Sequence, residues 1–186
     1  MNRPEPKVPA QAVETPKPDA AAILEPAEAL ANSLYQLIDA QPFFKGFTAA
    51  QLELLAASAL EMKFEAGQTI FAAGSPANRF YLILEGQVVL ETEVAEHNQM
   101  AVQTLWPGDD LGWSWLFPPY SLHFSARAIE PTRTIFFYGT RLREQCEADH
   151  ELGYQMMRRI AEVASRRLQA MQSSLLQSKD PEKLDQ

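Results

Sequence analysis

Cysteine is nearly absent: Cys146 is the only one in 186 residues, so neither an internal disulfide nor a zinc site built from several thiolates can form. It reads as a small helical residue with no redox role. Basic residues are the minority charge, 16 Lys and Arg against 24 Asp and Glu. The formal net charge of −8 argues against direct binding of nucleic acid, which needs clustered cations to replace phosphate counterions. No window approaches the roughly 18 uninterrupted apolar residues of a membrane helix, and proline and glutamate stand where a secretory signal would be apolar. The chain is therefore expected to be cytoplasmic and not membrane-bound. Histidine is sparse, and His97, His123 and His150 lack carboxylate or cysteine neighbours at ligand spacing, so no metal site is legible. Gly-x-Ser-x-Gly, the P-loop and a spaced Cys-His pair are all missing, and no enzyme activity is expected.

What is present suits one domain with short appendages. Hydrophobic residues make up 46% and charged residues 22%, close to an ordinary globular protein. Residues 1–25 hold most of the early prolines among Ala, Glu and Lys, and are expected to form a disordered tail. Leu30, Leu34, Leu37 and Ile38 then recur at helical spacing, followed by a second run with Leu52, Leu54, Leu55 and Leu60. Thr48 with Gln51 three residues on has the form of a capping box. These signals place helices over 28–58.

Near Leu60 the period falls to 2: Leu60, Met62 and Phe64 alternate with Glu61, Lys63 and Glu65. Glycines at 67, 74, 86, 108 and 112 punctuate short β-branched and aromatic runs over 69–71, 80–84, 88–94, 100–106, 122–129 and 133–138. With no helix between them, these runs predict a mainly β fold of about eight strands over 59–139, an antiparallel β-roll or jelly roll (a double-stranded β-helix) with flanking helices. Helical pattern returns over 140–177, with a break expected near Gly153, and 178–186 are expected to be a flexible tail. The folded unit is thus 26–177.

The long helix carries two stripes. Met157, Ala161, Ala164, Leu168, Met171 and Leu175 follow a coiled-coil seam, while Leu152, Met156, Ile160 and Val163 face another way. Either one stripe covers the β domain and the other meets a second copy, or both form one wide face within a single subunit. Arg158, Arg159, Arg166 and Arg167 read as the solvated face of this helix, with Glu147, Asp149 and Glu151 near its start.

Three segments carry a family likeness: Phe71 to Val88 with its two glycine turns around Phe80-Tyr81-Leu82-Ile83-Leu84, Pro107-Gly108-Asp109-Asp110-Leu111-Gly112, and Ala126-Arg127-Ala128. With helices before and a long helix after, the chain resembles the cyclic nucleotide-binding domains of the catabolite-activator (Crp/Fnr-like) family from about Phe43 to Gln177. The resemblance implies a phosphate-binding cassette in which an arginine holds the cyclic phosphate and a glutamate holds the ribose. Trp113 stands after Gly112, where the family has the glutamate. Leu122 matches the position of the arginine, with one residue fewer in the preceding loop. The helix that follows forms the dimer axis in the family, so a homodimer is expected. Family transcription factors carry a DNA-binding domain after it, and only Ser178 to Gln186 remain here, so direct promoter binding is not expected.

The candidate ligand pocket is therefore Leu111, Gly112, Trp113, Ser114, Trp115, Leu122, Phe124 and Ala126, with His123, Ser125 and Arg127 expected to point away from it. Arg79, Arg127 and Ser121 are candidates to compensate for the lost phosphate contacts. His123 is the nearest candidate for a haem ligand, of the kind some family members use, against an ordinary surface histidine. The aromatic patch from Trp113 to Tyr120 either plugs the vacated pocket or forms a site for an apolar or planar ligand, or a docking surface. Losing one partner of a buried charge pair costs about 2–5 kcal/mol, so ordinary cyclic nucleotide binding is disfavoured and no cofactor is expected. The leading expectation is a non-catalytic regulatory or sensor domain acting through protein contacts or a non-standard ligand. The alternatives are cyclic AMP or cyclic GMP held by a rearranged cassette, and a purely structural dimeric subunit. The partner protein is not named by the sequence.

Overall fold

The computed structural model of the protein describes residues 20–95 and 98–178. Residues 1–19, Glu96, His97 and residues 179–186 lie outside the described residues. Helix comes first, as α1 (Ala20–Asp39), a 3-10 turn (Pro42–Phe44) and α2 (Ala49–Ala56). The Thr48 hydroxyl accepts from the Gln51 N–H at 3.3 Å and the Gln51 side chain accepts from the Thr48 N–H at 3.1 Å, a complete capping box. α1 starts inside the 1–25 segment expected to be a tail, because the alanine-rich run from Ala20 to Leu24 has strong helix propensity.

Eight strands follow among the described residues: β1 (Ala59–Phe64), β2 (Thr69–Phe71), β3 (Arg79–Glu85), β4 (Val88–Ala95), β5 (Asn98–Leu105), β6 (Asp110–Leu111), β7 (Ser125–Ala128) and β8 (Thr132–Tyr138). They form two four-stranded sheets, ordered β1-β8-β3-β6 and β2-β7-β4-β5, with antiparallel pairing throughout. The two sheets close a β-roll. In β3 alternate residues serve different cores: Phe80 and Leu82 pack against the helices, while Tyr81 and Ile83 fill the roll interior. β8 repeats the scheme, with Ile135 and Phe137 on the helix side and Phe136 inside. Burial on both faces explains why β3 reads as a continuous apolar run.

Two helices close the chain, α3 (Gly139–Ala148) and α4 (His150–Ser178). The break falls at Asp149, not near Gly153. The Asp149 carboxylate accepts from the N–H groups of Glu151 and Leu152, both at 3.0 Å, and so caps α4. Gly153 lies inside α4, where a Cβ would stand 2.9 Å from the Cys146 carbonyl oxygen. That glycine serves the close approach of α4 to the end of α3. Leu152, Met156, Ile160 and Val163 are buried in the helix-side core, so this stripe binds α4 to its own domain.

Candidate ligand cavity between the roll and the long helix

The second half of α4 runs past the open side of the roll, leaving a cavity of about 250 Å³. The roll contributes Phe71 from β2, Leu90 from β4 and Leu111 from β6. Gly112, Trp113 and Ser114 supply one rim, at the start of a 3-10 turn (Trp113–Leu116). Leu122, His123 and Phe124 supply another, and Ala164, Arg167, Leu168 and Met171 come from α4. Gly112 opens the 3-10 turn with φ +85°, and a Cβ there would meet the Arg79 carbonyl oxygen at 2.4 Å. Only glycine fits this turn without displacement.

Of the expected pocket residues, Leu111, Gly112, Trp113, Ser114, Leu122 and Phe124 border the cavity. Trp115 does not. Its side chain turns into the helix-side core and packs edge-on against Phe80 at 6.2 Å between ring centroids, since neighbouring positions of a 3-10 turn project in different directions. Ala126 is buried in the roll interior, beyond the cavity wall. The aromatic patch is thus divided, with Trp115 filling core and Trp113 facing open space.

His123 borders the cavity together with Leu122 and Phe124, contrary to the expected alternation. The reason is that β7 begins only at Ser125, so a strand period cannot be extended back to these residues. Leu122 is 7% exposed and its backbone is tied on both sides, accepting from the Gly74 N–H at 2.8 Å and donating to the Ser75 carbonyl at 3.0 Å.

None of the three candidates for compensating the phosphate borders the cavity. Arg127 points away from it and is bonded to Glu91 through two guanidinium nitrogens, one at 3.2 Å. Arg79 lies over the Phe136 ring at 5.7 Å. Ser121 forms an isolated bridge with Pro76. The cation that does reach the cavity is Arg167. Its side chain is only 12% exposed, which corrects its assignment to a solvated face. Arg159 is likewise half-buried, donating to the Lys45 carbonyl and to Glu162 at 2.9 Å. A legible signal for Arg167 existed: it lies three residues after Ala164 and four before Met171, on the seam stripe itself.

Arg167 donates to the backbone carbonyl of Asp110 and stands 3.7 Å from that residue's Oδ2. The Asp110 carboxyl is 4% exposed and its Oδ2 has no hydrogen-bond partner. Burial pushes its pKa above the usual carboxylate range, against the pull of Arg167. On the other side of this contact a wider cavity of about 660 Å³ is bordered by Asp110, Arg158, Arg159 and Arg166. Among the described residues no cluster of three or more His, Cys, Asp or Glu side chains is placed to hold a metal ion, and no helix is long and apolar enough to cross a membrane.

The seam stripe is split by this geometry. Met157 and Leu168 are 52% and 58% exposed, and Ala161 is exposed as well. Ala164, Leu168 and Met171 border the cavity, and the side chain of Leu175 lies outside the described residues.

The profile of the cyclic nucleotide-binding domain matches residues 61–149. A solved structure described as a cyclic nucleotide-binding protein from Geobacter metallireducens is 33% identical, and the match covers 74% of this chain and 97% of that one with a TM-score of 0.65. This chain belongs to the cyclic nucleotide-binding domain family. A cyclic nucleotide-binding domain from Methylobacillus flagellatus shares the fold at 15% identity, with 82% and 85% of the two chains covered and a TM-score of 0.68. A CRP-like cAMP-activated global transcriptional regulator of Mycobacterium tuberculosis is 26% identical over 132 residues, 71% of this chain. The chain spans little more than half, 57%, of that relative. The family match and the CRP-like relative support a regulatory function.

Proposed function

We propose that this cyclic nucleotide-binding domain is a regulatory module whose cavity has been turned away from cyclic nucleotides, and that it signals through another small molecule or through protein contacts. The observation that carries this reading is the apolar wall at Leu122. The family resemblance puts the phosphate arginine there, and the residue is instead a buried leucine with a pinned backbone, lining the cavity together with Phe71, Leu90 and Leu111. Trp113 stands where the ribose glutamate belongs. An unpaired phosphate in such surroundings loses solvation that no group returns. The cavity volume points the same way, since about 250 Å³ lies below the roughly 300–1,000 Å³ of sites for drug-sized ligands.

Cyclic nucleotide held by a rearranged cassette is the second reading, and Arg167 is the observation in its favour. Against it, Arg167 comes from α4 and not from the position that matches the family's phosphate arginine, Trp113 stands at the ribose position, and the cavity is small for a nucleotide. An open cavity also favours a ligand over a purely structural role. The exposed Met157 and Leu168 fit pairing of α4 with a second copy, and sedimentation equilibrium tests that pairing, with a monomer at all concentrations refuting it. Equilibrium dialysis against labelled cyclic AMP and cyclic GMP tests the main reading. No saturable uptake below about 1 mM is expected, and micromolar uptake of either nucleotide would transfer the case to the second reading.

A further inference from the structure

The cavity has a composition that selects a ligand class. Three aromatic rings, Phe71, Trp113 and Phe124, border it. Aromatic side chains favour stacked or edge-on contact with a planar ring. Size sets the scale: a cavity of about 150 Å³ holds benzene, so about 250 Å³ leaves room for one ring with a short side chain. The polar end is equally specific. Among the described residues Arg167 is the one Lys or Arg bordering the cavity, and its planar fork matches a carboxylate in a way a lysine would not. We infer that this cavity takes a small aromatic monocarboxylate, its ring among Phe71, Trp113 and Phe124 and its carboxylate on the guanidinium of Arg167.

The existing partner leaves that guanidinium open to a ligand. The contact from Arg167 to Asp110 Oδ2 is 3.7 Å, longer than a formed hydrogen bond, and the bond that is made goes to the backbone carbonyl. A second carboxylate can therefore engage the free edge of the fork while the backbone bond holds α4 in place. Burial raises the pKa of Asp110 against the pull of Arg167, which weakens its hold on the guanidinium.

This inference rests on the reading that the cavity is not a cyclic nucleotide site, and one set of titrations separates the two. Isothermal titration of the whole chain with benzoate, phenylacetate and 3-phenylpropionate, each paired with its neutral amide, is the experiment. At least one acid should bind saturably below 10 mM and its amide at least tenfold more weakly, a comparison that needs no variant. Arg167→Gln should lose the acid's advantage over the amide, and Arg167→Lys should recover only part of it. Equal binding of acid and amide, an undiminished preference in Arg167→Gln, or no binding of any acid at 10 mM would overturn the inference. Cyclic AMP titrated in parallel reports on the underlying reading: micromolar binding sinks that reading, whereas silence from both cyclic AMP and the acids removes only the ligand class.

Discussion

If the apolar wall is what excludes cyclic nucleotides, then putting charge back should restore binding, and the double variant Trp113→Glu with Leu122→Arg is the sharpest form of that perturbation. Leu122 is fixed by backbone bonds to Gly74 and Ser75, so an arginine there starts from a defined position at the cavity wall. Trp113→Glu removes the indole that borders the cavity and supplies a carboxylate at the position matching the family's ribose contact. Without ligand the variant should be less stable, since a buried leucine contributes about 1.5–3 kcal/mol. A charged partner for the phosphate is worth about 2–5 kcal/mol, or roughly 30- to 5,000-fold in affinity. From a millimolar starting point the lower bound gives a dissociation constant near 30 μM. Then 1 mM cyclic AMP stabilises the variant by about 2 kcal/mol, against about 0.4 kcal/mol for the unaltered chain. That difference of about 1.6 kcal/mol is a rise of roughly 3–6 °C in Tm for a domain of this size. Differential scanning fluorimetry reads it, with adenosine as the control that lacks the phosphate. A folded variant with no gain over the parent, or one stabilised equally by adenosine, would refute the reasoning.

Other perturbations test the frame around the cavity. Gly112→Ala combines a left-handed backbone with a clash against the Arg79 carbonyl, and should cost about 2–3 kcal/mol; a Tm within a degree of the parent would mean the turn is looser than described. Burial, with Asp149 and Glu147 adding to it, pushes the Cys146 thiol up to about 11, so at pH 8 its thiolate fraction is about a hundredth of that in unfolded chain. Iodoacetamide should accordingly label native protein about a hundredfold more slowly than denatured protein, and equal rates would contradict the burial. Asp149 has its carboxyl held below the usual range, chiefly by the Leu152 N–H. A depressed folded pKa gives stability that is present above the unfolded pKa and lost as pH falls through the folded one. Asp149→Ala should therefore lower Tm at pH 7, with the gap to the parent closing as pH falls below the usual carboxylate range; a gap independent of pH would argue against the cap.

The sequence carried the architecture well where periodicity was long. The continuous run of β3 and the two stripes of α4 could be read because each spans several turns or strand repeats, and the capping box at Thr48 is a local signal that tertiary contacts did not override. Short elements were illegible. β6 has two residues, too few to show a period, and the early start assigned to β7 came from extending alternation through Leu122 to Phe124, where the backbone is no longer strand. Gly153 looked like a helix end because glycine commonly is one, but it serves packing inside α4. The site was half legible for the same reason. Residues contiguous with the Gly112 turn were identified by the glycine pattern, whereas Phe71 and Leu90 reach the cavity from distant elements whose convergence only the fold determines. Arg167 also sat among three other arginines on one helix, and composition alone cannot say which one turns inward.

The most direct test of the central claim is thermal unfolding of the unaltered chain with and without 1 mM cyclic AMP or cyclic GMP. A micromolar site filled at that concentration would add about 4 kcal/mol, or roughly 8–16 °C. The account predicts a change of no more than a degree or two with either nucleotide. A shift of the larger size would contradict it, and would mean that Arg167 or another cation leaves its partner to hold the phosphate.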